Sequence, residues 1–337
     1  MLTLLVEAAA RTLALGLIVG VAFALARRRG GRAELTALIP VLGASLAMPL
    51  LMAWAPDMTV VVPAATPVSA EIAAIPDLAA GAIADTMDAL EDVPGIQPSV
   101  SFPWHLAATA AYLLVAGLLA LRLVSGLLLS VRLARAATPL PDGALYGLDI
   151  RMSDRIPAPL AFASTILVPT DYASWPEFKR KAVLAHEAGH VTRGDFYVLV
   201  ASSLNRAVFW FSPLSWWLHD RLALLAENAS DAAALDTVRE PVVYAEVLFD
   251  FAQRNTPAAE GRKQKFAVAI AMARPNTVAG RIERILSGQP LSRRIPMRKH
   301  LLVFASLLPL VTLSAGLQFT AVREALAAAA PGQQRTV

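Results

Sequence analysis

Four runs of mostly apolar residues constrain this chain more than any other feature. They cover residues 2–26, 35–54, 102–121 and 301–319. Each is long enough to cross a bilayer, which takes roughly 20 apolar residues in a helix. The whole chain is 56% hydrophobic and 17% charged. A soluble domain averages about 45–50% and about 25%. A multi-pass membrane protein accommodates that excess; a soluble domain or a disordered chain does not. The chain has no cysteine. A disulfide scaffold, thiolate zinc sites, iron–sulfur clusters and cysteine nucleophiles are thereby excluded. A net charge of +4 is too small to imply nucleic acid, and no direct nucleic-acid binding is expected.

The first run holds two charges, Glu7 and Arg11, four residues apart and able to pair on a helix. Its Arg27-Arg28-Arg29 follows the apolar run instead of preceding it. That order favours an uncleaved anchor over a signal peptide. The second run contains Pro40 and Pro49, and the third continues as a basic amphipathic extension over 122–135. Loop 55–101 has no Lys or Arg and seven acids, whereas 134–300 carries 21 of the 30 basic residues. The positive-inside rule puts the Arg-rich loop and 134–300 in the cytoplasm, and both termini outside. The expected organisation is a membrane region over 1–133, a cytoplasmic domain over 134–300, a fourth span over 301–319 and a short external tail over 320–337. The acidic loop reads as a sensor or, more simply, as a solvated connector.

Within 134–300, residues 148–152 and 164–169 read as short strands. Ser174-x-x-Glu177 has the form of a capping box, with Pro176 in the first turn. The helix it opens is expected to run to about Val191 and stop at Gly194. It carries His186-Glu187-Ala188-Gly189-His190. Histidines at i and i+4 stand one above the other on a helix face and can hold one Zn²⁺. Glu187, one residue round, suits a general base. The motif alone is a weak signal, since exposed helices produce it by chance. A third ligand must come from elsewhere. His219 is one candidate and Glu227 the better one, because Glu227 and Asp231 interrupt an apolar face with Leu224 and Leu235. A buried lone carboxylate is costly. Metal ligation by Glu227, and a hydrogen bond from Asp231 to a ligating histidine, would offset that cost; a pair of salt-bridged or solvated acids is the plainer reading.

The apolar run 196–218 separates the two groups. Were it a span, His190 and Glu227 would lie on opposite sides of about 30 Å of hydrocarbon. It is therefore expected to be a helix beside the active-site helix, turning at Ser212-Pro213. Trp210, Trp216 and Trp217 suit a membrane interface or an ordinary core.

Together these residues resemble the BlaR/MecR-like membrane metallopeptidases, the β-lactam sensor-transducer family. The matching elements are His186-Glu187-x-x-His190, Arg193-Gly194-Asp195, Trp210-Phe211-x-Pro213-Leu214-x-Trp216, Glu227-x-Ala229-x-Asp231, Tyr244-Ala245 and Arg281-Ile282. The sequence ends 18 residues after the fourth expected span, so a member without the external penicillin-binding domain is expected. Ser230 stands where the family commonly has Cys, and Ser212 where Asn is common. The resemblance implies a mainly α fold: four transmembrane helices and a cytoplasmic α+β zinc peptidase domain of gluzincin type. It also implies Zn²⁺ held by His186, His190 and Glu227, with Glu187 as base and Asp231 behind a ligand. Tyr244 or His219 is a candidate oxyanion stabiliser, and Asp195 a helix N-cap. Residues 164–168 read as an edge strand that pairs with substrate, or as a core strand. The implied location is the inner membrane. The implied substrate is a cytoplasmic protein such as a transcriptional repressor, or the chain itself. Membrane quality control by a related protease, and a non-catalytic transducer that keeps the fold, are the other readings.

Overall fold

The computed structural model describes residues 2–25, 31–54, 58–62, 103–140, 147–254, 275–288, 311–312 and 317–321. In chain order these form α1 (Leu2–Leu25), α2 (Gly31–Trp54), β1 (Met58–Val62), α3 (Trp104–Ala136), β2 (Thr138–Pro139), β3 (Asp149–Ser153), β4 (Leu160–Phe162), β5 (Thr165–Pro169), α4 (Glu177–Arg193), α5 (Asp195–Val208), α6 (Pro213–Val238), α7 (Pro241–Arg254), α8 (Pro275–Leu286) and β6 (Leu317–Ala321). The chain is mainly helical. It divides into two units: Met1–Trp54 with Ala111–Ala315, and Ala55–Ala110 with Gly316–Val337.

Among the described residues, three helices are long and apolar enough to cross a membrane: α1, α2 and α3. Glu7 and Arg11 pair on α1. α2 absorbs Pro40 and Pro49 without a break, as membrane helices do when neighbours satisfy the freed backbone groups. α3 is one helix through both the apolar run and its basic extension. Leu113, Leu114, Leu118 and Leu121 on it are exposed, as a lipid-facing helix requires. The fourth expected span lies mostly outside the described residues. Its last three positions, 317–319, are not helical: they open β6, which pairs in parallel with β1 from Met58↔Leu317 to Val62↔Ala321.

In the first unit a four-stranded sheet has the order β2-β3-β5-β4. β3 and β5 are parallel, and β4 runs antiparallel to β5. Of the two readings of 164–168, the edge strand is corrected and the core strand holds. β5 has a neighbour on each side and is buried throughout. β4, three residues long and missed in sequence, is the edge on that side, and β2 is the other. Ile166 and Val168 pack with Val183 and Leu184 of α4, so the sheet supports the helix that carries the histidines.

The capping box is not formed. Thr170–Ser174 is a short 3-10 turn, and the Ser174 hydroxyl donates to the Asp171 carbonyl at 2.6 Å. Trp175 and Pro176 are extended, with Pro176 as the N-cap of α4. Ser174 thus lies too far upstream to cap. The other end follows the expectation: Gly194 adopts φ 68° and ends α4 in a left-handed cap, a conformation glycine adopts without Cβ strain. α5 starts at the next residue. α5 ends at Val208, and α6 begins at Pro213 with Ser212 before it. The two helices form a hairpin that brings α6 back along α4.

Candidate metal centre

α4 and α6 come close enough that a side chain at Gly189 would be crowded. A Cβ there would lie 3.1 Å from the Arg193 guanidinium and 3.2 Å from Ser230 Oγ. This contact sets Glu227 against both histidines. His186 Nε2 and His190 Nε2 are 3.3 Å apart. Glu227 Oε2 is 3.6 Å from His186 Nε2, and Oε1 is 3.6 Å from His190 Nε2. A tetrahedral ion with ligand bonds of about 2.0–2.1 Å separates its ligand atoms by about 3.3–3.4 Å. Among the described residues these three form a group able to hold a metal ion. Two imidazoles and one carboxylate leave a fourth position open, as in catalytic zinc sites.

The ring nitrogens facing away from this group are both engaged. His186 Nδ1 lies 2.9 Å from the Tyr244 hydroxyl and 3.3 Å from Asp231 Oδ1. The Tyr244 hydroxyl donates to Asp231 Oδ1 at 2.8 Å. Arg281 of α8 clasps Asp231 through Nε at 2.9 Å and Nη2 at 2.6 Å, and reaches Glu227 Oε2 through Nη1 at 2.8 Å. His190 Nδ1 lies 2.8 Å from Asp195 Oδ2, and Arg193 pairs with the same carboxylate. Arg193 also donates to the Ser230 hydroxyl and to the Ala226 carbonyl. Carboxylates behind metal-facing histidines fix the tautomer that presents Nε2.

Charge follows this geometry. Burial lowers the pKa of His186, but the Asp231 and Glu227 carboxylates outweigh it and raise the imidazole to about 9. Burial raises Glu227, while the Arg281 charge and the His186 contact overcome it and hold the carboxyl at about 2. Asp231 is lowered too: burial is outweighed by His186 and Arg281. Burial, followed by the Asp231 charge, drives the Tyr244 phenol well above its ordinary value. Without a cation, the cluster holds a proton on His186; a cation at the Nε2 atoms would displace it.

Glu187 is buried, and among the described residues it forms no ion pair or hydrogen bond. The remaining residues singled out in sequence fall in two places. Tyr244 belongs to the cluster but on the Nδ1 side of His186. His219 is buried beside Ser202, 2.8 Å from its hydroxyl, and is not part of the His–His–Glu group. Asp195, expected as an N-cap, makes no capping bond; its carboxylate goes to His190. Its sequence signal is an acid directly after a helix-stopping glycine. Arg281, fifty residues beyond Asp231, has no local signal for its role.

A family model described as BlaR1 peptidase M56 matches residues 46–285, well over half of the chain. The chain belongs to that family. Among curated proteins, the Regulatory protein BlaR1 of Bacillus licheniformis is 31% identical over 104 residues. The match covers 29% of this chain and 17% of that protein, less than a fifth of its length. Family membership places the chain among the M56 peptidases, and three described helices are long and apolar enough to cross a membrane.

Proposed function

We propose that the chain is a membrane-embedded zinc endopeptidase that signals by cutting a cytoplasmic protein, such as a transcriptional repressor, or itself. The observation that carries this reading is the convergence of His186 Nε2, His190 Nε2 and Glu227 at 3.3–3.6 Å. Nitrogen and oxygen donors with an open fourth position suit Zn²⁺. The inferred topology has four spans, a peptidase domain over 134–300 on the cytoplasmic side of the inner membrane, and a fourth helix within 301–319. The Lys and Arg distribution supports it.

When bound, zinc supplies Lewis acidity toward the scissile carbonyl and toward water. The chain's own residues do the rest. Glu187, a buried acid with no protein partner among the described residues, takes a proton from the attacking water and returns it to the leaving amine. Asp231 and Asp195 orient the two imidazoles. Tyr244 acts through Asp231 and His186 and is read as a positioning residue in preference to an oxyanion stabiliser. The test is Glu187→Gln in the full chain. Zinc content is expected to hold at about one per chain, while cleavage of a co-expressed substrate or of the chain falls about 10²–10⁴-fold. Unchanged cleavage would overturn the peptidase reading.

A further inference from the structure

The α5–α6 hairpin packs against all three candidate spans. A Cβ at Gly16 of α1 would lie 3.4 Å from the Leu214 methyls. Leu38, Val41 and Leu42 of α2 form one apolar cluster with Leu218, Leu222 and Leu225 of α6. The Ser45 hydroxyl donates to Asn205 Oδ1 at 2.7 Å, and the Tyr112 hydroxyl of α3 donates to the Val208 carbonyl at 2.9 Å.

Each contact is a depth ruler, at about 1.5 Å per helical residue. Gly16 is nine residues, about 14 Å, from the end of α1 at Leu25. Ser45 is eleven residues, about 16 Å, from Glu34. Tyr112 is ten residues, about 15 Å, from Arg122. All three count from the end of the span that faces the Arg-rich side. All three give half of the roughly 30 Å hydrocarbon thickness.

Several polar groups of the turn are also satisfied by protein, although Trp210 Nε1 is buried without a partner among the described residues. Irregular backbone survives in hydrocarbon only where its polar groups are satisfied by protein. Phe209 N–H donates to the Asn205 carbonyl at 2.8 Å and Ser212 N–H to the Phe209 carbonyl at 2.9 Å. The Trp216 indole N–H donates to the Trp210 carbonyl at 2.7 Å, and Tyr112 takes Val208. The Arg206 guanidinium sits over the Trp216 ring at 4.8 Å, which lowers the cost of a charge near the tip. Leu204 and Trp217 present exposed apolar surface, and Tyr197, one helix-length toward the Arg-rich side, is an exposed aromatic at interface height.

We propose that 209–212 is the tip of a re-entrant hairpin: α5 and the first half of α6 enter the bilayer from the Arg-rich side and turn at its mid-plane. Glu227 lies thirteen residues past Leu214, about 20 Å along α6. That places the metal centre roughly 5 Å outside the hydrocarbon, among the headgroups. Given the peptidase reading, the substrate class follows: peptide bonds in polypeptide segments held at that membrane surface.

The absence of cysteine makes single-cysteine reporters clean. The full chain is reconstituted in nanodiscs and spin-labelled in turn at Leu204→Cys, Trp217→Cys and Tyr197→Cys. Leu118→Cys is the lipid control and Val242→Cys the water control; both side chains are exposed. The ratio of collision with oxygen to collision with a nickel chelate reports depth. Leu204 and Trp217 are expected to match Leu118, Tyr197 to read at headgroup level, and Val242 to read as water. Nickel accessibility at both Leu204 and Trp217 equal to that at Val242 overturns the proposal. If those two variants do not fold, a lipid with a mid-chain diazirine is photolysed with the unaltered chain. Adducts within 204–217 support the hairpin, and adducts confined to α1–α3 overturn it. Neither readout involves cleavage, so an embedded hairpin with a fully active Glu187→Gln chain would sink only the peptidase reading.

Discussion

The two histidines stand four residues apart on one helix, yet they are held in place by different means. His190 is supported from next door: α4 ends at Gly194, the chain turns, and Asp195 comes back onto Nδ1. His186 is supported from three helices far along the chain, through Asp231 on α6, Tyr244 on α7 and Arg281 on α8. A local support forms whenever α4 and its cap form. A distributed one exists only when the whole peptidase unit is folded. The difference makes His186 the reporter of tertiary structure in this site, and His190 the reporter of one helix end.

Asp231→Ala tests that distinction most severely. It leaves the Arg281 charge buried beside Glu227 and removes the acceptor for Tyr244. Breaking a buried ion pair from one side typically costs about 3–5 kcal/mol. A large fall in melting temperature is expected together with a loss of metal affinity of at least about 10–100-fold. Asp195→Ala is expected to lose a similar 10–100-fold in affinity with a much smaller effect on unfolding, because His190 Nδ1 loses its partner while Arg193 keeps the Ser230 hydroxyl and the Ala226 carbonyl. Equal destabilisation by the two, measured by calorimetry and zinc titration, would erase the proposed contrast.

The pH dependence sharpens it further. His186 is raised to about 9 in the metal-free cluster. Its stabilising contribution is fully present below the unfolded value of about 6.5 and is lost as pH rises through about 9. The depressed Glu227 contributes above its unfolded value of about 4.5, and that contribution is lost as pH falls toward about 2. Chelator-treated protein is therefore expected to melt lower at pH 9 than at pH 6. Zinc-loaded protein, with His186 already deprotonated, is expected to lose less. A metal-free melting temperature that stays flat between pH 6 and 9 would remove His186 from the folded-state proton count.

Smaller effects follow. Gly189→Ala places a methyl 3.1–3.4 Å from Arg193 and Ser230 and is expected to cost about 1–3 kcal/mol as an overpacked contact. It weakens the α4–α6 contact through which Asp231 reaches His186. Tyr244→Phe removes the hydrogen bond to Asp231 and the contact with His186 Nδ1, each expected to cost about 0.5–1.5 kcal/mol, while leaving Arg281 clasped on Asp231. A Tyr244→Phe effect as large as that of Asp231→Ala would mean that the phenol, not the carboxylate, anchors His186.

The contrast also explains what was legible in sequence. Apolar run length alone revealed α1, α2 and the start of α3. Period and a stopping glycine revealed α4, and two acids on one apolar face of α6 pointed to Glu227 and Asp231. These signals sit within one helix or one turn. The capping box failed because an extended Trp175-Pro176 pair separates Ser174 from the helix, a backbone choice that the motif does not encode. The place of β5 inside the sheet depended on β4, three residues with no periodicity to detect. Arg281 contacts Asp231 across fifty residues of chain, and only the packing of α8 shows what it does. The grip of α2 on α6 was equally hidden, since an apolar helix face does not say whether lipid or protein will cover it.

Zinc K-edge absorption of the purified full chain tests the central claim most directly, with metal content measured alongside. Two imidazole nitrogens and a carboxylate oxygen at about 2.0–2.1 Å are expected, with about one zinc per chain in the unaltered and Glu187→Gln proteins and little in Glu227→Ala. A zinc shell without imidazole would contradict the site. So would a Glu227→Ala protein that keeps its zinc while Glu187→Gln loses it.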